Sequence, residues 1–420
     1  MPRLTTSSTL SCATAFAVLL SITACARQPG AISAGPGFEK RLQEALIQAK
    51  PGAVIELPAG KHEVDRTLSL TVDNVTIRGQ GPDKTILSFR NQRTGSAGIS
   101  VTSNHFVIEG VAVEDTKGDG IKINGANGAT IRRVRAEWTG GPNEKNGSYG
   151  FYPVQCQDVL IEDSAVMGAS DAGIYVGQSK NIVVRRNRAE QNVAGIEIEN
   201  SQFADVYQNT ATRNAGGILV FNLPDLPVKG GQSTRVFDND ILANNTGNFA
   251  PKGNIVAKVP AGTGMIIMST SHIEIFKNRI RDNQTSSISI ISYLSTGNPL
   301  NDASYDPYTE AIYVHDNAIS ASGGAPSGQS AEPLVALLGK PLPAILYDGI
   351  VNPKKLKQAS LPEESRICLQ RNSDATFANY DAANGGKHLD RTLAHYDCAL
   401  APLAAVNLPQ ATQAASGGGQ

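Results

Sequence analysis

The chain has 420 residues, 41 glycines, 5 cysteines and a formal net charge of -1 at pH 7. That length suits one large repetitive domain, and the balanced charge argues against a nucleic-acid partner. The glycine count fits many tight corners rather than disorder along the whole chain.

Residues 1–24 read as an export signal. Arg3 gives a positive start, Ala15 to Ile22 an apolar stretch, and Ile22-Thr23-Ala24-Cys25 places small residues just before a cysteine. A lipoprotein peptidase requires that pattern, and Cys25 is then the acylated N-terminus. The alternative is an ordinary cleaved signal with an incidental cysteine. Residues 25–36 form a polar tether. No later run approaches the roughly 18 apolar residues of a membrane span, so contact with a membrane is expected through lipid alone. Phe38 to Lys50 predicts an amphipathic helix with Phe38, Leu42, Ala45 and Leu46 on one face, ended by Pro51-Gly52. Such a helix suits the open end of a stacked core. Val54-Ile55-Glu56-Leu57, Leu68-Ser69-Leu70, Val75-Thr76-Ile77 and Thr85-Ile86-Leu87 are the first, irregular strands.

A repeat then takes over. Gly173-Ile174-Tyr175-Val176 is followed by Ile182 to Asn187 and by Arg188 to Asn192, and Gly195-Ile196-Glu197-Ile198 restarts the pattern about 22 residues on. Related openings stand at Gly98, Gly120, Gly150, Gly217 and Gly264. Three short apolar strands per period predict one rung of a coil, which buries its core only by stacking on its neighbours. Asn187, Asn209, Asn239, Asn278 and Asn317 end the second strands, and Asn192, Asn214, Asn244 and Asn283 follow five residues later. Asparagine suits turns, and amides about 4.8 Å apart can bond along a column.

On these Gly-Ile-x-Val starts and asparagine columns, residues 37–320 resemble the right-handed parallel β-helix repeat proteins. The segments Ser148 to Val154, Gly168 to Gln178 and Gly216 to Asn222 resemble that family's bacterial exported lipoprotein branch most. The resemblance implies an all-β, single-stranded right-handed parallel β-helix (a solenoid), with a short N-terminal capping helix and an irregular C-terminal cap. It also implies an address in the bacterial envelope, and Ala26 after the lipidated cysteine resembles outer-membrane lipoproteins. The wider superfamily spans polysaccharide lyases, epimerases and hydrolases as well as non-catalytic stems.

Charges follow the stack. Glu109, Arg132, Glu162 and Arg185 alternate at the outward end of the second strand, with Arg133, Asp163 and Arg186 beside them. A surface ion ladder is expected, worth a few tenths of a kcal/mol per pair. The outward column of the Gly-Ile-x-Val strand reads Ser100, Lys122, Tyr152, Tyr175, Glu197, Leu219 and Ile266, and the next includes Asn124, Gly177, Glu199 and Phe221. Insertions before the strand (Thr139 to Tyr149, Thr246 to Thr263) and after it (Leu223 to Ser233, Leu294 to Thr309) are expected to wall a trough floored by Tyr152, Tyr175, Glu197 and Glu199. An ordinary solvated face is the alternative.

A long groove with aromatic rings suits a polysaccharide, possible acidic substituents being met by Lys122. Processing a uronate needs its carboxylate neutralised and protons exchanged at C5. Lys122 fits the first task and Tyr175 or Glu197 the second, while Tyr152, Glu199, Asn124 and Phe221 are candidate substrate contacts. The reaction classes are lyase, C5-epimerase or glycoside hydrolase. Against catalysis, Asp306-Pro307-Tyr308-Thr309 lacks two residues of the epimerase Asp-Pro-His-Asp motif. The competing reading is a non-catalytic scaffold that docks another exported envelope protein. No cofactor is predicted, and the scattered histidines with no Cys-x-x-Cys predict no metal. Asp115, Asp119 and Asp171 read as turn residues before they read as calcium ligands. Residues 321–420 are expected to be linker and C-terminal cap, stapled by a Cys368–Cys398 disulfide, with Cys156 an inert thiol and Cys12 lost with the signal.

Overall fold

The computed structural model describes Met1 and residues 31–329, 331–358 and 360–409; the export signal, Cys12 and the acylation candidate Cys25 lie outside the described residues. Among the described residues the strands form three parallel sheets of 11, 10 and 11 strands, each rung but the last giving one strand to each sheet. The rung that begins at Ala172 is typical. Its strands Ala172–Gly177, Lys180–Arg185 and Arg188–Glu190 are separated by corners at Gln178, Arg186 and Gln191, whose φ values are 53, 54 and 57. One left-handed residue per corner redirects the chain without a long loop. Each strand pairs with its equivalents one rung before and one rung after, as Ala172–Gly177 does with Tyr149–Val154 and Ala194–Glu199. The pleat turns Ile174, Val176, Ile182, Val184 and Ala189 into a single apolar core running the length of the coil.

The asparagines take a different post from the one turn chemistry predicts. The residue before each carries the left-handed φ, and the asparagine side chain turns inward. Nδ2 of Asn187 donates to Oδ1 of Asn209 at 3.0 Å, and the relay continues through Asn239, Asn278 and Asn317 to Asn372. The second column runs from Asn192 through Asn214 and Asn244 to Asn283. Each amide also satisfies backbone groups that the corners leave unpaired; Asn209, for example, donates to Val184 O and accepts from Asn187 N. Ser179 and Ser201 make a lesser ladder at the first corner, in which Cys156 N–H donates to the Ser179 hydroxyl.

The ends are closed as an open solenoid requires. The helix Phe38–Gln48 buries Phe38, Leu42 and Leu46 over the first rungs, and Phe38 stacks on His62 at 4.0 Å. At the other end the coil continues past residue 320, where the sequence period fades. Ile345–Tyr347 pairs with Ser286–Ile291, Ile367–Gln370 with Glu310–His315, and Phe377–Asn379 with Ile345–Tyr347. A helix at Ala331–Leu338 interrupts these late rungs. Cys368 and Cys398 are joined in a disulfide. Beyond it the chain doubles back along the outer face of the second-strand sheet. Leu403 N–H donates to Glu274 at 2.9 Å, Val406 N–H donates to Asp205 at 3.1 Å, and Leu408 covers Leu160 and Val183.

The inner column of the ion ladder is not a surface feature. Glu109, Arg132 and Glu162 are only 3%, 4% and 1% exposed. Arg132 pairs with Glu109 at 2.6 Å, while Glu162 receives both Arg185 and Arg186. Burial pushes the Glu109 carboxyl up, but Arg78 and Arg132 outweigh it and hold the group below its ordinary value. Stacked long side chains shield each other from water, which an inspection of one rung does not reveal.

Candidate active site on the first-strand face

The expected outward column is present, in register. Lys122 stands beside Tyr152, Tyr175 beside Glu197, and Glu197 beside Leu219; in the next column Gly177, Glu199 and Phe221 are neighbours. Lys122 Nζ lies 4.8 Å from the centre of the Tyr152 ring, a cation–π contact at the open end of the face. Tyr152 meets Tyr175 edge-on at 5.1 Å, and Tyr149 lies 4.5 Å from each of them.

Gly177 explains how Tyr175 is held. A Cβ there would come within 2.2 Å of the Tyr175 hydroxyl, so the ring lies over the glycine. From that position the hydroxyl donates to Glu199 Oε1, one rung on, at 2.6 Å. Asp171, on the corner just before the strand, accepts from the Tyr149 hydroxyl at 3.5 Å and from Asn254 Nδ2 at 3.2 Å.

Three carboxyls therefore gather on one side of three phenols. Burial raises Asp171 to about 7, helped by the charge of Glu199 and opposed by the bonds from Asn254 and Tyr149. Burial likewise raises Glu199 to about 7 against the Tyr175 hydrogen bond. Glu197 is 1% exposed and its Oε2 finds no hydrogen-bond partner among the described residues. Burial, then Glu199 and Asp171, push it well above the ordinary carboxylate range. Asp119, beside Lys122, rises to about 6 through burial. Burial drives Tyr175 and Tyr149 far upward, so both remain phenols.

The floor is not an open trough. The insertion after Thr246 folds down onto the sheet, and its Val256 and Val259 pack with Tyr175, Leu219, Phe221 and Ile266 in a second apolar cluster. Phe221 is buried there and presents no ring to a polysaccharide at the surface. Asn124 is exposed at the edge, apart from the acids. Lys122, Tyr149 and Tyr152 remain half-buried at the mouth. Tyr175 donates to Glu199, and Glu199 and Asp171, both raised to about 7, stand beside the expected proton exchangers Tyr175 and Glu197. Sequence reasoning missed Asp171, Tyr149 and Asn254 as site residues. Ile255-Val256 and Val259 were the available signal, since apolar residues within an insertion mark it as one that packs down.

Residues 63–232 match the family model described as the right handed beta helix region. A search of curated proteins finds no match. Among solved structures, the chain is similar to the A-module of mannuronan C-5 epimerase AlgE4 from Azotobacter vinelandii, with 16% identity, a TM-score of 0.47, and 80% of this chain and 90% of that one covered. It is similar also to an alginate lyase from Paenibacillus sp. str. FPU-7, with 16% identity, a TM-score of 0.38, and 68% and 92% covered. A third similar structure is the catalytic unit of a GH87 alpha-1,3-glucanase from Streptomyces thermodiastaticus strain HF3-3, with 15% identity, a TM-score of 0.44, and 76% and 48% covered. These likenesses assign no activity. By its three parallel sheets, its repeating rungs and the matched region, the chain folds as a right-handed parallel β-helix.

Proposed function

We propose that the protein is a lipid-anchored envelope protein that binds an acidic polysaccharide at the Lys122–Tyr149–Tyr152 mouth and exchanges protons with it through Glu199 and Asp171. One observation carries this reading: two carboxyls poised at about 7 lie against three phenols beneath a folded-down insertion. A group whose pKa sits at the working pH serves as both acid and base. Lys122, over the Tyr152 ring, supplies the cation a uronate carboxylate needs. In this scheme the ionised member of the Glu199–Asp171 pair takes the C5 proton. The protonated member returns one, to the ring carbon in epimerisation or to the glycosidic oxygen in elimination.

A glycan array followed by turnover assays tests the reading. Expected are binding that Tyr152→Ala weakens, and either C5 deuterium exchange or ultraviolet absorbance from an unsaturated sugar. Glu199→Gln should lower turnover by about two to four powers of ten while binding survives. Binding without turnover would leave a glycan-binding module. No binding at all would move the assignment to a scaffold for another exported envelope protein, to be recovered by pull-down. For the anchor, Cys25→Ser should release the protein from the membrane fraction; unchanged association removes the lipoprotein assignment.

A further inference from the structure

Farther along the same face, beyond the acid cluster, lies a separate cavity of about 240 Å³. Its walls come from parts of the chain far apart in sequence: Phe221, Ile266 and Met268 from successive sheet strands, Val259 from the insertion, Leu334 from the late helix and Leu346 from a late strand. Protein interiors are close-packed, so elements that converge on an apolar space without filling it need a reason. Water is a poor occupant, because it needs two to four polar partners, and a dry cavity of about 150 Å³ is already large enough to take up benzene. This one is larger, and its walls mix apolar side chains with hydroxyls already bonded inside the protein, which offers a sugar polymer few free partners.

The hydroxyls of the lining are engaged within the protein: Thr263 donates to the Pro260 carbonyl, Thr285 to the Ala261 carbonyl and Ser295 to Asp348, while Ser289 shares a hydrogen bond with Ser286. Lys258 stands on the rim, and its Nζ donates to the Thr296 carbonyl at 3.0 Å and to the Asn298 side-chain oxygen. Both acceptors are neutral, so the ammonium is positioned but its charge is not offset by an ion pair, and one of its three hydrogens remains for a ligand. The adjoining concavity of about 450 Å³ shares Ile255 and Lys258 with the first and adds Lys252, against the single acid Asp225. An apolar chamber thus opens beside a net positive rim.

We propose that this cavity binds an amphiphilic anion, a medium-chain acyl carboxylate or its equivalent on a lipid, with the chain among Phe221, Ile266 and Met268 and the anionic head on Lys258. The site is independent of the polysaccharide reading, and neither Tyr152 nor Glu199 takes part in it.

Calorimetric titration of the full chain carrying Cys25→Ser, which needs no detergent, tests the proposal with sodium decanoate and 1-decanol. Decanoate is expected to saturate at one per chain and to bind about fivefold more tightly than decanol, as one partly exposed charge pair allows. Lys258→Met should erase that preference, and Met268→Trp should abolish binding of both probes while the strand-type circular dichroism is kept. If Met268→Trp does not fold, Ile291→Trp on the half-buried wall fills the same space. Competition by dihexanoyl phosphatidylglycerol would point to a lipid source, and its failure while decanoate binds to a free acid. No saturable heat with either probe, undiminished binding in the folded tryptophan variant, or decanol binding as tightly as decanoate would overturn the proposal.

Discussion

At the scale of single residues, the acids of the first-strand face set a pH dependence whose sign is fixed. Glu199 and Asp171 hold folded-state values of about 7 against ordinary values of 4.5 and 3.8. Between those limits the unfolded chain has released protons that the folded chain keeps. Stability from these groups is therefore complete below about pH 4, falls as pH rises towards 7, and is flat above that. The loss is on the order of 3–4 kcal/mol for each group. Combining Glu199→Gln with Asp171→Asn should remove most of it, since Gln still accepts from Tyr175. Thermal melts at pH 5 and pH 8 check this: the wild-type melting temperature should drop more between them than the variant's does. The register of Lys122, Tyr152, Tyr175, Glu197 and Glu199 was legible because the pleat has period two. Their ionisation was not, because it depends on Val256, Val259 and Asn254 arriving from another rung's insertion.

At the scale of elements, the asparagine columns and the ion ladder do different work. Asn209 gives and receives bonds at Val184 O, Asn187 N and both neighbouring amides, all buried. Asn209→Ala should cost about 1–3 kcal/mol, read as a lowered urea midpoint. The ladder offers an internal control. Glu162, 1% exposed, neutralises Arg185 and Arg186, whereas Asp163 meets Arg186 at the surface with its side chain 37% exposed. Replacing Glu162 by Ala removes the charge-assisted bonds it accepts from Arg185 and Arg186 and should cost about 1.5–3 kcal/mol. Replacing Asp163 by Ala should cost under about 1 kcal/mol. Equal losses would place Glu162 in water, contrary to the packing. Rung starts and columns could be read from the chain because they recur locally. The last rungs could not: Ile367–Gln370 joins its sheet only after a detour through Ala331–Leu338 that hides the period.

At the scale of the whole molecule, a solenoid's stability is mainly a sum over neighbouring rungs. The C-terminal strap departs from that rule. Val406 bonds Asp205 across 201 positions of sequence and Leu403 bonds Glu274 across 129, with the Cys368–Cys398 disulfide at its foot. Closing that 30-residue separation is worth about 3–4 kcal/mol on the chain-entropy account. In Cys398→Ser, the amides of Leu403 and Val406 should exchange with deuterium much faster while those of the Asn209 column keep their protection. Unchanged exchange at Leu403 and Val406 would mean that the strap stands on its own contacts. The strap also acts as a record of completion. Its residues are made after every rung, yet they fasten rungs finished long before, from Leu160 to Glu274. A chain cut short at residue 398 would still possess every rung and both asparagine columns, but nothing would bind the middle of the coil to its end. A missing tail would then reveal itself as fraying of the terminal rungs, well away from the acid cluster.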